Sequence, residues 1–386
     1  MEFRTYVNIT KKNYHVEEIK RWLIEELDKT LIQEGINREK ICCIKEAISK
    51  SGGSSLASRY GLKEQITFAD SELINAWQRG KGAVAYLEYR YDFKYYPGKK
   101  IVSDFPLVVA VEASSKCNLR CDMCFQSNMD LQEHPQNQGI MSYEVYEKFL
   151  EEIEKHKLYS IVFASRGEPL LNPRIDQMIS EAKKRGVLDI KMNTNATLLT
   201  EEMGRRLLQS GLDMIVFSVD SVNPENYHEI RGGRLDRVLQ NINTFLRIRK
   251  EEFPDSKMVV RVAMVITKKM DHCAKEEVEQ AKKYWLEKVD ELSIKSENDF
   301  KEVYKKIGDI EKKEACSLLW ERVYLWQNGQ INPCDIDHLS SLCVGNIMEG
   351  DSICDIWKGE KMNELRERQR TQKKDIDYIC RHCIGY

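Results

Sequence analysis

The sequence predicts an α/β protein: a partial barrel of six βα units, with a mostly helical N-terminal extension and a small cysteine-rich C-terminal domain. Six short, almost continuously apolar runs occur between about residues 105 and 300, as expected of parallel strands covered on both faces. Longer stretches with helical periodicity separate them, and such a repeat indicates a parallel sheet. Eight units would close a full barrel, so six leave it open.

The individual elements follow from local signals. The strand candidates are residues 107–113, 159–163, 188–193, 213–218, 258–266 and 290–294. Thr200, followed by two glutamates, is expected to begin one helix and Gly211 to end it. Asn223-Pro224 is expected to begin another helix. Because functional groups of such folds lie at the carboxyl ends of the strands, we look for chemistry there.

We expect three domains, over residues 1–104, 105–310 and 311–386. The first contains an amphipathic helix within residues 15–33 and a flexible break at residues 51–55, but no chemical motif. We therefore expect it to serve substrate or partner recognition, with a brace covering the open side of the barrel as the alternative. A charged stretch at residues 300–315 is expected to be a solvated helical connector.

The composition excludes several classes of protein. The net charge is −2, with 60 basic and 62 acidic residues interleaved along the chain, so no basic nucleic-acid footprint is expected. No apolar run is long enough to span a bilayer, and the N-terminal residues lack a signal peptide. We therefore expect a cytoplasmic protein, whose twelve cysteines serve metal binding rather than disulfides.

Three cysteines follow the first strand in the stretch CNLRCDMCF: Cys117, Cys121 and Cys124. A closed structural zinc site uses four ligands, and His134, in a polar loop, is a poor candidate for the fourth. A [4Fe–4S] cluster has four irons and normally four thiolates. Three thiolates leave one iron open to an external ligand, as a catalytic zinc keeps an open position.

This CxxxCxxC pattern, placed after the first strand of a partial barrel, resembles the signature of the radical S-adenosylmethionine (radical SAM) superfamily. The resemblance implies a [4Fe–4S] cluster whose open iron binds SAM, and a reducing electron donor such as flavodoxin or ferredoxin. Reductive cleavage of SAM then gives methionine and a 5′-deoxyadenosyl radical. Zinc binding, or cysteines without a shared function, is the alternative interpretation.

Further residues at successive strand ends resemble the SAM-binding positions of this family. SRGEP at residues 165–169 is similar to the family's GGEP motif, with Arg166 in place of the first glycine. Phe125 is expected to flank the adenine or to belong to the core. The residues expected to contact SAM are Gly167, Glu168, Asn193, Asn195, Ser218, Asp220 and Arg231. No proton acceptor can be assigned, although Arg166, Lys295 and Tyr324 are candidates by position.

The C-terminal cysteines resemble the auxiliary-cluster extension of radical SAM enzymes, the SPASM/twitch domain. Its ligands would be Cys316, Cys334, Cys380 and Cys383, and these four residues would hold one second [4Fe–4S] cluster. Structural zinc fits the same number of ligands. Asn328-Gly329 predicts the turn of a hairpin that leads to Cys334. Cys343 and Cys354 are expected to be ordinary buried thiols, although either could replace a ligand.

Three functions are compatible with these features. The first is a dehydrogenase-like radical SAM oxidoreductase that oxidises or deoxygenates a small molecule, with a carbohydrate or sugar nucleotide favoured. The second is a maturase that cross-links or epimerises a ribosomally made peptide. The third is a non-enzymatic iron–sulfur or zinc protein, which would leave the series of expected SAM contacts from Gly167 to Arg231 without a purpose. The sequence does not identify the substrate.

Overall fold

The computed structural model describes residues 7–10, 14–51, 66–127, 138–297, 315–371, 379–380 and 383. Its strands are β1 (Val7–Thr10), β2 (Val108–Val111), β3 (Ser160–Phe163), β4 (Asp189–Thr194), β5 (Met214–Ser218), β6 (Val259–Ile266), β7 (Glu291–Ser296), β8 (Arg322–Leu325), β9 (Gln330–Asn332) and β10 (Gly345–Asn346). Its helices are α1 (Val16–Thr30), α2 (Arg38–Ser49), α3 (Asp70–Gln78), α4 (Ala83–Lys99), α5 (Tyr143–Lys155), α6 (Ile175–Lys184), α7 (Glu201–Gln209), α8 (Pro224–Arg231), α9 (Leu235–Glu252), α10 (Ala274–Trp285), α11 (Ile353–Lys358) and α12 (Glu360–Arg370).

The six predicted strands are all present and form the parallel centre of one sheet, β2 to β7 in chain order. The predicted α/β fold with a partial barrel of six βα units is confirmed. Thr200 and Asn223 cap α7 and α8 through their side chains, as the sequence indicated. Gly211 has a φ of +86°, the left-handed conformation that ends a helix.

Both edges of the parallel sheet are extended by strands from the flanking regions. At one edge β1 pairs antiparallel with β7. At the other, β8 runs parallel to β2 and continues through an antiparallel pairing with β9 and then β10. The predicted turn of the β8–β9 hairpin contains Gly329 at a φ of +89°. Neither edge pairing was expected from the sequence.

The N-terminal region packs against the amino ends of the barrel strands. Its helices share one apolar cluster with barrel residues such as Leu107, Val108 and Leu188. Arg79, from the end of α3, pairs with Asp189 and Asp213, which precede or begin β4 and β5. These contacts lie at the opposite end of the strands from the cysteine loop, and they favour the brace over the recognition role.

Several features predicted from the sequence lie partly or wholly outside the residues that the structure describes. Residues 52–55 of the expected flexible break and residues 300–314 of the expected connector lie outside the described residues, as does His134. The domain boundaries at residues 104 and 310 therefore remain predictions. Within the described part of the chain, no helix is both long and apolar enough to cross a membrane.

Candidate cofactor site at the carboxyl ends of the strands

The three cysteines that follow β2 lie in one tight loop. The amide of Cys124 donates to the carbonyl oxygen of Cys121 over 3.0 Å, and the amide of Ser127 donates to Cys124 over 3.1 Å. Burial, Arg231 and Asp220 have the largest effects on the pKa of Cys121. The thiols of Cys124 and Cys117 have the next largest effects. The three thiols thus share one short loop, and those of Cys124 and Cys117 influence that of Cys121 electrostatically.

The first cysteine is held by the polypeptide that follows β4. The Asn195 Nδ2 lies 3.9 Å from the Cys117 Sγ and donates to the Asn118 Oδ1 over 2.9 Å. The Asn195 Oδ1 accepts from the amide of Thr197 over 2.9 Å, which fixes the orientation of the side-chain amide. Asn195 is 6% exposed, so it orients the cysteine loop from inside the structure.

The second cysteine faces a buried cation. The Arg231 Nη1 lies 3.8 Å from the Cys121 Sγ, and its Nε donates to the Asp220 Oδ2 over 2.7 Å. The other Asp220 oxygen accepts from the amide of Val265 over 2.9 Å. Although burial opposes the charged form, Asp220 and Cys121 raise the pKa of Arg231, which therefore stays charged. Asp220 is fully buried and acts on the site through Arg231.

Burial dominates the acid–base state of the thiols. It raises the pKa of Cys117 and Cys124 and brings that of Cys121 to about 11, with Arg231 opposing the shift. A cysteine that coordinates a metal loses its proton outright, so cluster binding would release protons here. A cationic guanidinium beside Cys121 favours that deprotonation.

Gly167 is the point where the SRGEP loop touches the chain that leads to Cys117. A Cβ at this position would lie 2.1 Å from the Ser114 carbonyl oxygen and 2.5 Å from that of Lys116. The next amide, of Glu168, donates to the Lys116 oxygen over 2.9 Å. Only glycine permits this approach of two backbones, so Gly167 fixes the position of the cysteine loop relative to β3.

The Glu168 carboxylate connects the ends of β3 and β4. It accepts hydrogen bonds from the Leu170 amide (3.0 Å), the Thr194 hydroxyl (2.6 Å) and the Asn195 amide (2.7 Å). Glu168 is 2% exposed, and burial raises its pKa against the effect of these donors. We expected this carboxylate to face the SAM ammonium; in the structure its described partners are protein groups that hold Asn195 in place.

Other predicted contacts lie on the inner face of the sheet. Asn193 is exposed on β4, and Ser218 is half-buried at the end of β5. Ser218 pairs with Ala263 on β6, and Ala263 pairs with Ser293 on β7. Lys295 is exposed near the end of β7. These residues line the inner face with hydroxyl, amide and ammonium groups.

Arg166, Phe125 and Tyr324 were also singled out from the sequence. Arg166 is 4% exposed and pairs with Glu112, so its guanidinium is already bound to a carboxylate. Phe125 stacks on His338 of the C-terminal domain, with ring centroids 4.3 Å apart and an interplanar angle of 18°. Tyr324, on β8, is 3% exposed. Glu112 and His338 were not found from the sequence, because their contacts join distant segments.

Cys334 lies near the other three C-terminal cysteines. Burial raises the pKa of Cys334, and the neighbouring thiols of Cys316, Cys383 and Cys380 raise it further. Ile336 and Ile379 form an apolar cluster against which two of these cysteines pack. Among the described residues, no three Cys, His, Asp or Glu side chains are grouped closely enough to surround a single metal ion.

The two spare C-terminal cysteines have backbone partners. The Cys343 thiol donates to the carbonyl oxygen of Gly345 over 3.4 Å, and the Cys354 thiol donates to that of Asp104 over 3.6 Å. Such contacts are typical of structural thiols, since a metal ligand would be deprotonated.

The residues around the cysteine loop fit an additional bound group. The buried hydroxyl oxygens of Ser165 and Tyr227 have no hydrogen-bond partner among the described residues. Tyr227 is close enough to Arg231 and Cys121 for both to influence its pKa, which burial raises to about 12. Buried polar atoms are rarely left without partners, so these two hydroxyls are available to a bound water or ligand. Tyr227 carries no motif and was missed in the sequence.

The chain matches two families of known proteins. Residues 111–281 match the radical SAM superfamily, and residues 316–384 match SPASM, an iron–sulfur cluster-binding domain. These matches imply a [4Fe–4S] cluster, SAM and further iron–sulfur binding by the C-terminal domain.

Curated relatives resemble only part of the chain. A Pyrococcus furiosus protein that modifies the cofactor of tungsten-containing aldehyde ferredoxin oxidoreductase is 36% identical over 161 residues, 41% of this chain. GTP 3′,8-cyclase of Clostridium botulinum is 34% identical over 140 residues, 36% of this chain. In both cases 43% of the relative is covered, so the chain spans less than half of their length.

Solved structures share the fold. BtrN in complex with AdoMet and 2-DOIA has a TM-score of 0.51 at 18% identity, covering 72% of this chain and 93% of BtrN. Streptococcus suis SuiB bound to precursor peptide SuiA has a TM-score of 0.50 at 16% identity, covering 99% of this chain and 94% of SuiB.

Proposed function

Since the chain carries a radical SAM domain followed by a SPASM domain, we propose that it is an oxidoreductase that removes a hydrogen atom from a small polar substrate. The observation that carries this proposal is the position of the three cysteines in one hydrogen-bonded loop that follows β2, at the carboxyl ends of the strands. Asn195 and Arg231 approach two of these thiols from β4 and α8. A cluster bound there would have one iron without a protein ligand.

The bound cluster would supply the electron that cleaves SAM, and the resulting 5′-deoxyadenosyl radical would take the hydrogen atom. The chain's own residues bind and orient SAM and the substrate, and they exclude water from the site. We assign direct SAM contacts to the backbone at Gly167, to Asn193 and Ser218 on the inner face, and to the outer edge of the Arg231 guanidinium. Tyr227 is added to this group because its buried hydroxyl lacks a described partner.

Three of the expected contacts receive a supporting role instead. Glu168 accepts hydrogen bonds at the end of β4, Asn195 orients the first cysteine, and Asp220 holds Arg231. Each is at most 6% exposed. We propose that they fix the positions of the groups that touch the cluster and SAM, as outer-shell partners do in metal sites.

For the substrate we favour a carbohydrate or sugar nucleotide. Hydroxyl and amide groups on the inner face, with Asn193 exposed, suit a ligand with several hydroxyls, and the exposed Lys295 suits a phosphate. A relative named GTP 3′,8-cyclase supports a nucleotide-like substrate. The second candidate is a peptide, because the likeness in fold to SuiB extends through the N-terminal region.

The C-terminal cysteines are proposed to hold a second [4Fe–4S] cluster that can accept an electron during oxidation of the substrate. Its ligands would be Cys316, Cys334, Cys380 and Cys383. A reducing donor such as flavodoxin or ferredoxin would supply electrons to the first cluster. Structural zinc at the C-terminal cysteines remains the alternative, and metal analysis of anaerobically purified protein distinguishes the two.

The test compares the two groups of cysteines in anaerobically reconstituted, reduced protein. Replacing Cys117, Cys121 and Cys124 together with alanine should abolish release of 5′-deoxyadenosine. Replacing Cys380 and Cys383 with alanine should retain some release but stop oxidation of the substrate. A panel of sugar nucleotides and a panel of peptides would be screened for stimulation of 5′-deoxyadenosine release. Release that survives the triple replacement would refute the proposal.

A further inference from the structure

A buried ion pair lies between the two groups of cysteines. The Arg166 Nε and Nη2 donate to the two carboxylate oxygens of Glu112, over 2.5 Å and 2.8 Å. Arg166 is 4% exposed and Glu112 is 1% exposed. Such a fork of two parallel hydrogen bonds has a defined geometry, so it holds the end of β2 and the SRGEP loop in one relative position.

The same guanidinium holds the C-terminal domain. The Arg166 Nη1 donates to the carbonyl oxygen of His338 over 2.8 Å, and its Cζ lies 4.3 Å from the centre of the Trp326 ring. The Glu112 carboxylate also accepts from the amide of Gln327, in the β8–β9 turn, over 3.2 Å. The hairpin that leads to the C-terminal cysteines is thus attached to the Arg166–Glu112 pair.

The backbone of Arg166 is attached to the first cysteine loop. Its carbonyl oxygen accepts a hydrogen bond from the Gln126 side chain, which also donates to the Ser115 carbonyl oxygen over 2.9 Å. The ring of Phe125, directly after the third cysteine, stacks on His338. Two contacts therefore connect residues just after Cys124 with the segment that Arg166 holds.

The simple alternative is that Arg166 is one more buried ion pair that serves packing alone. Its place in the chain indicates more. Arg166 directly precedes Gly167, where the SRGEP loop contacts the cysteine loop. Its backbone is held within the barrel domain, and its side chain binds both the barrel and the C-terminal domain. Packed elements have discrete arrangements, and a displaced C-terminal domain cannot keep these bonds without moving the SRGEP loop.

We propose that Arg166 is a positioning residue that couples the C-terminal cysteine domain to the SAM-binding loop. The state of the C-terminal domain then influences SAM affinity through the contacts of Arg166 with His338 and Trp326. This inference rests on the proposed function, because it requires that SAM binds beside Gly167. It assigns to Arg166 a role different from that of a proton acceptor, for which the sequence made it a candidate by position.

The experiment is a cycle of four anaerobically reconstituted, unreduced proteins, so that SAM binds without being cleaved. They are the wild type, Cys380→Ala/Cys383→Ala, Arg166→Gln, and the combination of all three changes. Their SAM dissociation constants are measured by equilibrium dialysis. We expect the C-terminal replacements to weaken SAM binding at least fivefold in the wild-type background and less than twofold beside Arg166→Gln.

Arg79→Gln provides a matched control at the other end of the strands. Arg79 also pairs with carboxylates, Asp189 and Asp213, and lies 4.4 Å from the centre of the Tyr86 ring. In the Arg79→Gln background the C-terminal replacements should weaken SAM binding as much as in the wild type. The same fivefold effect in the Arg166→Gln background, or no effect in the wild type, would overturn the coupling.

Hydrogen–deuterium exchange gives a second readout that does not depend on SAM. Arg166→Gln should raise exchange at residues 117–127 and 334–344, whereas Arg79→Gln should leave both segments unchanged. Arg166→Lys, which keeps a cation, should restore part of the protection. If Arg166→Gln does not fold, Glu112→Gln takes its place in both measurements. A wild-type protein that binds no SAM would refute the proposed function, whereas SAM binding with equal effects in every background would refute only the coupling.

Discussion

Arg79 and Arg166 make contacts of the same kind at opposite ends of the barrel strands. Each pairs with carboxylates and lies over an aromatic ring. At the amino end, cations outweigh burial: Lys191 and Arg79 lower the pKa of Asp189 to about 2. At the carboxyl end burial prevails, and the pKa of Glu112 is raised despite Arg166.

The difference indicates how stability and binding are divided between the two ends. Around the amino ends, opposite charges are paired and the N-terminal helices cover the apolar surface. Around the carboxyl ends, burial raises the pKa of the three thiols of the cysteine loop. Buried thiols of this kind lose their protons when they coordinate a metal. We therefore expect changes at the amino end to affect folding and changes at the carboxyl end to affect cofactor binding.

Removing the N-terminal region should have the largest effect. A chain that starts at Val102 exposes apolar residues such as Val108, Val162 and Leu188 and leaves Asp189 without Arg79. Asp189 keeps Lys191 as a partner but loses one of its two cations. Because this loss and the uncovered core surface are both unfavourable, we expect the truncated chain to aggregate. Size-exclusion chromatography of the expressed protein checks this. A monomeric truncated chain that binds SAM would contradict the role of a brace.

The second largest effect is expected from acid, which should destabilise the N-terminal region. Although burial alone would raise it, Lys94 and Arg90 lower the pKa of Glu72 to about 2. A lowered carboxylate pKa contributes stability above the unfolded value, and that contribution is lost as the pH falls from about 4.5 towards 2. This lowering of the Glu72 pKa contributes roughly 3 kcal/mol to the free energy of unfolding.

Urea unfolding followed between pH 6 and pH 3 measures this contribution. Glu72→Gln should lower stability at pH 6 and flatten the decline below pH 4.5, because the substituted side chain does not titrate. Glu181→Gln is the matched control, since the half-buried Glu181 also has a lowered pKa but lies on α6, away from the N-terminal helices. An unchanged slope for Glu72→Gln would show that other groups determine acid sensitivity.

Gly167→Ala should have the smallest effect on stability but a local effect on the cofactor site. The added methyl group meets two backbone oxygens, so the loop must shift, at a destabilisation of about 1–3 kcal/mol. We expect iron bound by the first cluster and SAM affinity both to fall. Gly98→Ala on α4, where nothing lies within 4 Å, should leave both unchanged. Equal iron content and SAM affinity in the two variants would contradict the close-contact role of Gly167.

Local patterns allowed much of the fold to be predicted from the sequence. Parallel strands buried on both faces read as apolar runs, and Thr200 and Asn223 mark helix starts through their own side chains. The spacing of Cys117, Cys121 and Cys124 is local in the same sense. The pairing of β1 with β7 was not predictable, because its partners are separated by most of the chain.

Local sequence patterns could not predict the orientation of the polar side chains at the strand ends. Arg166 binds Glu112, 54 residues away, and His338, 172 residues away. Asp220 and Glu168 lie near the cysteine loop as expected, but their carboxylates bind protein groups on adjacent strands. Which partner a carboxylate finds depends on sheet register and on the docking of the C-terminal domain, and neither is encoded in a short motif.

The most direct test of the account is electron paramagnetic resonance of the Cys380→Ala/Cys383→Ala protein, reconstituted and reduced anaerobically. Only the loop of Cys117, Cys121 and Cys124 then keeps all of its proposed ligands. We expect the signal of a single reduced [4Fe–4S] cluster, whose g values shift when SAM is added because SAM occupies the open iron. A cluster signal that SAM leaves unchanged, or the absence of any cluster signal, would contradict the account.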